Sequence, residues 1–158
     1  MTTTGTLYTI GYQALPPERL LQIAQALDAT VIDVRKMPVS RIKGYHKCHL
    51  QTLLGDRYQA RGAELGGIRN GISHTSPAGI ERLRTDLAAG RNLILMCMEH
   101  SPGDCHRHQL ICAPHFPGAM HIYEDELIEA RELEACLTHP DPEAEYDIAG
   151  NLSERVPA

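Results

Sequence analysis

Tryptophan is absent from this 158-residue chain and phenylalanine occurs once, so the core must be built from leucine, isoleucine, valine, alanine and methionine. No apolar run approaches the roughly 20 residues that span a bilayer, which argues against a membrane segment. The first residues lack the basic and apolar regions of a signal peptide, so we expect a cytoplasmic protein. A chain of this length is typical of one domain rather than two.

The chain also lacks the even number of regularly spaced cysteines that is typical of a disulfide framework, since it has five cysteines scattered along its length. These are Cys48, Cys97, Cys105, Cys112 and Cys136. In a reducing compartment, such thiols are more often buried, catalytic or metal-binding than joined as disulfides.

The net charge of −5 conceals a basic middle segment. Residues 35–107 hold twelve Lys/Arg against six Asp/Glu, whereas acids dominate from residue 124 onwards. One interpretation is that the middle segment surrounds a site for an anionic group; the alternative is that these charges form solvated faces.

Strand and helix patterns alternate along the chain. Short apolar runs predict strands at residues 7–10, 31–34, 57–61, 92–96 and 119–123. Helical spacing predicts helices at residues 16–27, 49–54, 76–89 and 124–136, with Ser76 capping the third, and another helix ending near Cys112. This alternation predicts a single α/β domain over residues 1–136, with a mostly parallel central sheet flanked by helices. Residues 137–158 are acidic and contain proline, and we expect an irregular arm there.

The loop from Cys97 to Arg107 contains most of the candidate catalytic and ligand-binding residues. It leaves the end of a predicted strand and delivers Cys105, His106 and Arg107 to the start of a helix, where free amides attract anions and lower thiol pKa values. Cys97 or Cys105 is the candidate nucleophile and His106 the candidate base; alternatively, Cys97 packs as a small apolar group. Glu99 is either an acid–base group or, as we favour, a bidentate ion-pair partner of Arg107.

Cations that follow the strand at residues 31–34 are predicted to complete an anion site around this loop. Arg35 follows the strand at residues 31–34 and so lies on the same sheet edge as Cys97, unless it simply pairs with Asp33. Arg41 and Lys43 follow in the next loop, and Glu64 precedes a Gly-Gly turn from which it is predicted to point into the pocket. The same cations suit a nucleic-acid backbone, but only Tyr45 is there to stack on bases and the protein is acidic.

Two sets of residues are candidate metal ligands. One is Cys97, Cys105 and His106, and the other is His46, Cys48 and His49; neither has the paired spacing of a zinc finger. No cofactor is predicted. The remaining histidines are expected at the surface or satisfied in the core, and these are His74, His100, His108, His115, His121 and His139.

Five motifs in their order resemble the domain-of-unknown-function 488 family, over about residues 7 to 123. These are Tyr8-Thr-Ile-Gly11, Ile32-Asp-Val-Arg35, Pro38-Val-Ser-Arg41, Glu64-Leu-Gly-Gly67 and Cys97-Met-Glu-His-Ser-Pro-Gly-Asp-Cys-His-Arg107. The last is the most specific. The chain has Tyr12-Gln13 where that family leads us to expect His-Ser or His-Gly. The resemblance implies no established reaction.

A looser similarity is to rhodanese-like domains, which also pair an Asp-Val-Arg strand end with a later cysteine loop. In those domains an arginine-bearing anion cradle follows the cysteine closely. Here nine residues separate Cys97 from Arg107, and Cys105 precedes Arg107 by two. Sulfur transfer is therefore an analogy drawn from the fold.

We therefore expect a small enzyme with a thiolate and arginine pocket for a small anionic substrate, of the cysteine-dependent transferase or hydrolase class. Two alternatives stay open: a non-catalytic module that binds a nucleotide or nucleic-acid phosphate, and a Cys/His metal-binding protein. No membrane partner is expected, and the oligomeric state is not predicted.

Overall fold

The computed structural model describes residues 3–138, and each of the five predicted strands is present to within a few residues, together with three that were not predicted. The strands are β1 (Leu7–Gly11), β2 (Ala29–Asp33), β3 (Tyr58–Ala60), β4 (Gly66–Arg69), β5 (Ile72–Thr75), β6 (Asn92–Cys97), β7 (Met120–Tyr123) and β8 (Glu126–Glu129). Six of them form one sheet in the order β3-β2-β6-β1-β7-β8, and β4 pairs with β5 in a separate hairpin. All pairs of the main sheet are parallel except β7 with β8. The predicted α/β fold with a mostly parallel sheet is confirmed.

The helices connect these strands and are short. They are α1 (Pro17–Ala26), α2 (Lys47–Leu54), α3 (Gly62–Leu65), α4 (Pro77–Ala88), α5 (Ala113–His115) and α6 (Ala130–Thr138), together with a π-helix at Arg107–Cys112. The Ser76 hydroxyl accepts the amide of Gly79, as expected of the cap of α4. Among residues 3–138 no helix is long and apolar enough to cross a membrane.

Side chains alternate between the two faces of the sheet, so each face has its own core. One core packs α1 and α2 against Ile10, Val31, Ile94 and Met96. The other packs α4, the π-helix and the start of α6 against inward positions of the neighbouring strands, which are Leu7, Ile32, Val34, Leu93, Leu95 and Cys97. Helices therefore cover both faces, and Cys97 belongs to the second.

Arg35 is held at the end of β2 by a buried ion pair. Its guanidinium donates to both carboxylate oxygens of Asp33, at 2.8 and 2.6 Å, and also to the Tyr12 hydroxyl and the Tyr45 carbonyl. The Tyr58 hydroxyl donates to the same carboxylate. Burial alone would lower the pKa of Arg35, but the contacts with Asp33 outweigh it and raise that pKa. This network ties the loop after β2 to the sheet.

The observed secondary structure differs from the predicted one in two places. The expected helix at residues 124–136 begins only at Ala130, because residues 126–129 form β8 and pair with β7 through a tight turn at Glu124. The β4–β5 hairpin was not predicted at all. Its turn, Asn70-Gly71, has positive φ at both residues and is the commonest signal of a two-residue hairpin turn. Residues 139–158, most of the predicted arm, lie outside the described residues.

We predict that Arg35→Ala lowers the free energy of unfolding by about 3–5 kcal/mol, because it leaves the fully buried Asp33 carboxylate without its cation. The matched control is Arg82→Ala, which removes an exposed partner of Glu64 and should cost less than about 1 kcal/mol. Urea denaturation measures both. A loss for Arg35→Ala as small as that of the control would contradict the structural role of this pair.

Candidate functional site

The loop after β6 brings Cys97, Cys105 and His106 together. Cys97 is the last residue of β6, and Cys105 and His106 come just before the π-helix. The Nδ1 atom of His106 lies 3.9 Å from each sulfur, and the three possible ligand atoms all lie within 4.8 Å of one another. Cys105 is 1% exposed and Cys97 is 6% exposed. The predicted nucleophile and base residues thus form one group, with both sulfurs buried and His106 partly exposed, which we call the Cys/His cluster.

Two main-chain carbonyls fix the ring of His106. Its Nε2 atom lies 3.2 Å from the Val34 carbonyl and 3.1 Å from the Leu65 carbonyl. A carbonyl can only accept, so the network assigns the proton to Nε2. Nδ1 is then the atom that faces the sulfurs, with a lone pair when the ring is neutral. Gly67 makes room for the ring, since a Cβ there would lie 3.3 Å from it.

The two thiols of the cluster differ in their ionisation. Hydrogen bonding to Cys105 and then burial raise the pKa of Cys97 above its usual value. The same hydrogen bond lowers the pKa of Cys105 well below its usual value, against the effect of burial, and His106 and Arg107 lower it further. For His106, burial is outweighed by the contact with Cys105, so its pKa is raised. The cluster therefore favours a charged Cys105 beside a protonated Cys97.

Glu99 contacts the cluster through its side chain, whereas its main-chain carbonyl binds the guanidinium of Arg107. The Glu99 carboxylate lies 3.3 Å from the Cys97 sulfur and is a second acceptor, besides Cys105, for the single thiol proton of Cys97. Burial raises the pKa of that carboxyl. Arg107 donates instead to the Glu99 carbonyl, at 2.8 Å. The predicted bidentate ion pair between Glu99 and Arg107 was therefore wrong, since the carboxylate turns towards the thiol.

Arg107 is fully buried, and its guanidinium holds the loop after β6 in place through hydrogen bonds. Besides the Glu99 carbonyl, it donates to the His100 carbonyl at 3.4 Å and to the Thr9 hydroxyl at 3.1 Å. Among residues 3–138 no carboxylate pairs with it, although buried cations are normally paired. Its charge lies close enough to Cys105 to favour the thiolate. Its role as an anion clamp stays a prediction, and these contacts occupy its guanidinium with the protein's own groups.

The other predicted cations and Glu64 lie away from the sulfurs. Arg35 is on the expected sheet edge, but its side chain points to the Tyr12 and Tyr45 face, opposite that of Cys97. Arg41 and Lys43 are exposed on the following loop. Glu64 accepts from Arg82 at 2.9 Å on the surface of α3 and α4, so the structure does not show it pointing into a pocket with the cysteines.

A buried chain of hydrogen bonds continues from Arg107 and was missed by the sequence analysis. Thr9 contacts His121 Nδ1 at 2.5 Å, His121 Nε2 contacts His108 Nδ1 at 2.9 Å, and His108 Nε2 contacts the half-exposed Glu134 carboxylate at 2.8 Å. Arg107 only donates and an ionised Glu134 only accepts, so every bond in the chain runs in the same direction. The sequence did contain a signal for this chain of hydrogen bonds. Thr9 and His121 are polar residues at strand positions that face the core, where a polar group needs a hydrogen-bond partner.

Only one of the two candidate ligand sets is assembled. Within residues 3–138, Cys97, Cys105 and His106 are the one group of such side chains close enough to share a metal ion. His46, Cys48 and His49 are all exposed on α2 or just before it and do not converge. The second predicted set is therefore not brought together.

Comparison with protein-family models, with curated proteins and with solved structures gave no match. The resemblance to the domain-of-unknown-function 488 family therefore rests on the sequence motifs alone and stays a prediction. What the cluster can do follows from its own chemistry.

We predict that His121 makes the protein acid-sensitive. Burial, then the charges of Arg107 and His108, lower the pKa of His121 to about 3, whereas the unfolded chain has an ordinary histidine there. Between these two pKa values the unfolded state binds the extra proton, so stability falls as the pH falls from about 6.5 towards 3. By pH 5 this group alone costs on the order of 2 kcal/mol.

Denaturation of the wild type and of His121→Gln at pH 7 and pH 5 measures this effect. The variant is expected to be less stable at pH 7 but to lose less stability on acidification than the wild type. Equal losses in both proteins would show that His121 is not the group responsible.

Proposed function

We propose that the Cys/His cluster binds a soft divalent metal ion of the zinc class, through the sulfurs of Cys97 and Cys105 and Nδ1 of His106. The observation that carries this proposal is the convergence of three ligand atoms within 4.8 Å. The bonds from His106 Nε2 to two carbonyls support it, because metal-binding histidines usually donate their other ring N–H to a carbonyl or carboxylate.

The donor types select the metal. Two thiolates and one imidazole suit Zn²⁺ and related soft ions, whereas Mg²⁺ and Ca²⁺ prefer oxygen ligands. Glu99 stays outside the group of three, but its carboxylate lies 3.3 Å from the Cys97 sulfur. Three protein ligands leave a fourth position, for which Glu99 or a water is the candidate. Thiols must be reduced to bind, which agrees with the expected cytoplasmic location.

Burial of the two sulfurs supports this function over that of a thiolate enzyme. A nucleophilic cysteine must meet its substrate, yet Cys105 is 1% exposed and Cys97 is 6% exposed. A metal ion is small enough to occupy such a site and needs no open surface. The guanidinium groups of Arg35 and Arg107 also bind the protein's own groups. Metal binding is therefore the function that the geometry supports best, and the cysteine-dependent transferase or hydrolase stays a prediction.

We predict that the protein purified from zinc-supplemented cells carries one zinc ion per chain. Cys97→Ser, Cys105→Ser and His106→Gln should each lose most of it, because each removes one ligand. The matched control is Cys48→Ser, which changes an exposed cysteine outside the cluster and should keep its zinc. Elemental analysis gives the stoichiometry, and circular dichroism shows which variants remain folded.

Cobalt provides a second measurement on the same proteins. Co²⁺ added to the metal-free wild type should give thiolate charge-transfer bands and the intense visible bands of tetrahedral coordination, both weakened in Cys105→Ser. Zinc at equal levels in folded Cys105→Ser and wild type, or zinc absent from the wild type, would refute the proposal.

A further inference from the structure

We infer that a cavity beside the sheet edge binds a small amphipathic anion, that is, a carboxylate, sulfonate or phosphate ester on an apolar body. The cavity has a volume of about 530 Å³ and is lined by Val39, Ser40, Arg41, Ile42, His46 and Met98. This volume is in the usual range for small-molecule sites. It lies by the carboxyl ends of β2 and β6, where open parallel sheets commonly bind ligands. The inference does not depend on the metal proposal.

The apolar part of the lining is exposed to a degree that is unusual for such residues. Val39 is 57% exposed and Met98 is 43% exposed, and Met37 on the same loop is 55% exposed. Val39 and Met98 are two of the six exposed large apolar side chains among residues 3–138, and both line the cavity. Apolar groups concentrated around one concave surface mark a binding site rather than scattered exposure.

The polar part of the lining is cationic. Residues 34–55 contain five Lys/Arg and no Asp/Glu, and of these cations Arg35 is already paired with Asp33. Arg41 lines the cavity, and within residues 3–138 it forms no ion pair. Ser40 accepts the Ile42 amide and so keeps its own hydroxyl proton for a ligand. An anionic group at Arg41 would balance the charge of this loop.

The loop that forms the cavity wall is fixed before any ligand arrives. Its ends are joined by the bond from the Lys47 amide to the Pro38 carbonyl, at 3.0 Å. Behind it, Arg35 donates to the Tyr45 carbonyl at 2.7 Å, and the ring of Tyr45 stacks on Tyr12 with centroids 4.2 Å apart. A preformed wall lowers the entropic cost of binding.

Anilinonaphthalene sulfonate is a suitable probe, because it joins an aromatic body to one sulfonate. We expect its fluorescence to rise on binding to the full chain at a single site. Arg41→Gln should raise the Kd about tenfold, which is the loss of one charge-assisted contact. The matched control, Arg69→Gln, changes an exposed arginine of β4 and should leave the Kd unchanged. Uncharged phenylnaphthylamine should bind the wild type more weakly than the sulfonate.

Methyl resonances of the methionines locate the probe. The signal of Met98 should shift on titration of the wild type, and this shift should disappear in folded Val39→Asp. The inference is overturned if the wild type does not bind, if Arg41→Gln and Arg69→Gln bind equally well, or if the Met98 signal does not move. Cobalt binding by the same samples reports on the metal centre separately, so the failure of one proposal is distinguishable from the failure of the other.

Discussion

The buried guanidinium of Arg107 is the contact on which the site depends. It donates to the carbonyls of Glu99 and His100 and to the hydroxyl of Thr9, so it joins the loop after β6 to β1. Without these bonds two loop carbonyls would lose their donor, which is costly in a protein interior. Because Arg107 fixes this loop, Cys105 and His106 are held beside Cys97 at the end of β6. The chain of hydrogen bonds through His121 and His108 to Glu134 extends this support to the surface and orients the dipoles around the cation.

Local signals were sufficient to predict most of the fold. Apolar runs marked β1, β2 and β6, and the Ser76 cap and apolar spacing marked α4, because these patterns depend on near neighbours in the chain. β8 was missed because its four residues include two glutamates and only one residue that favours strands, Ile128, so that its pairing with β7 is what defines it as a strand. The pairing of distant segments is decided by tertiary contacts, which no local pattern contains.

The residues that form the cluster were among those predicted, but their contacts were not, and other predicted site residues lie elsewhere. Cys97, Cys105, His106 and Glu99 were identified, since the carboxyl end of β6 and the following helix start were both visible in the sequence. The orientation of the Arg35 and Arg107 side chains was not predicted. Arg35 and Val34 point to opposite faces because neighbours in an extended chain alternate, so Arg35 shares an edge with Cys97 without facing it. Arg107 turns inward towards carbonyls whose positions exist only in the folded loop.

X-ray absorption at the zinc edge of the purified, folded protein tests the central claim most directly, because it reports the ligand atoms themselves. Coordination by Cys97, Cys105 and His106 predicts two sulfur neighbours at about 2.3 Å and one nitrogen neighbour at about 2.0–2.1 Å, with a fourth light atom. Cys105→Ser should lose most of its zinc, and any zinc that it retains should have one sulfur neighbour instead of two. A shell of nitrogen and oxygen alone would contradict the account, because it would place the metal away from the two thiols.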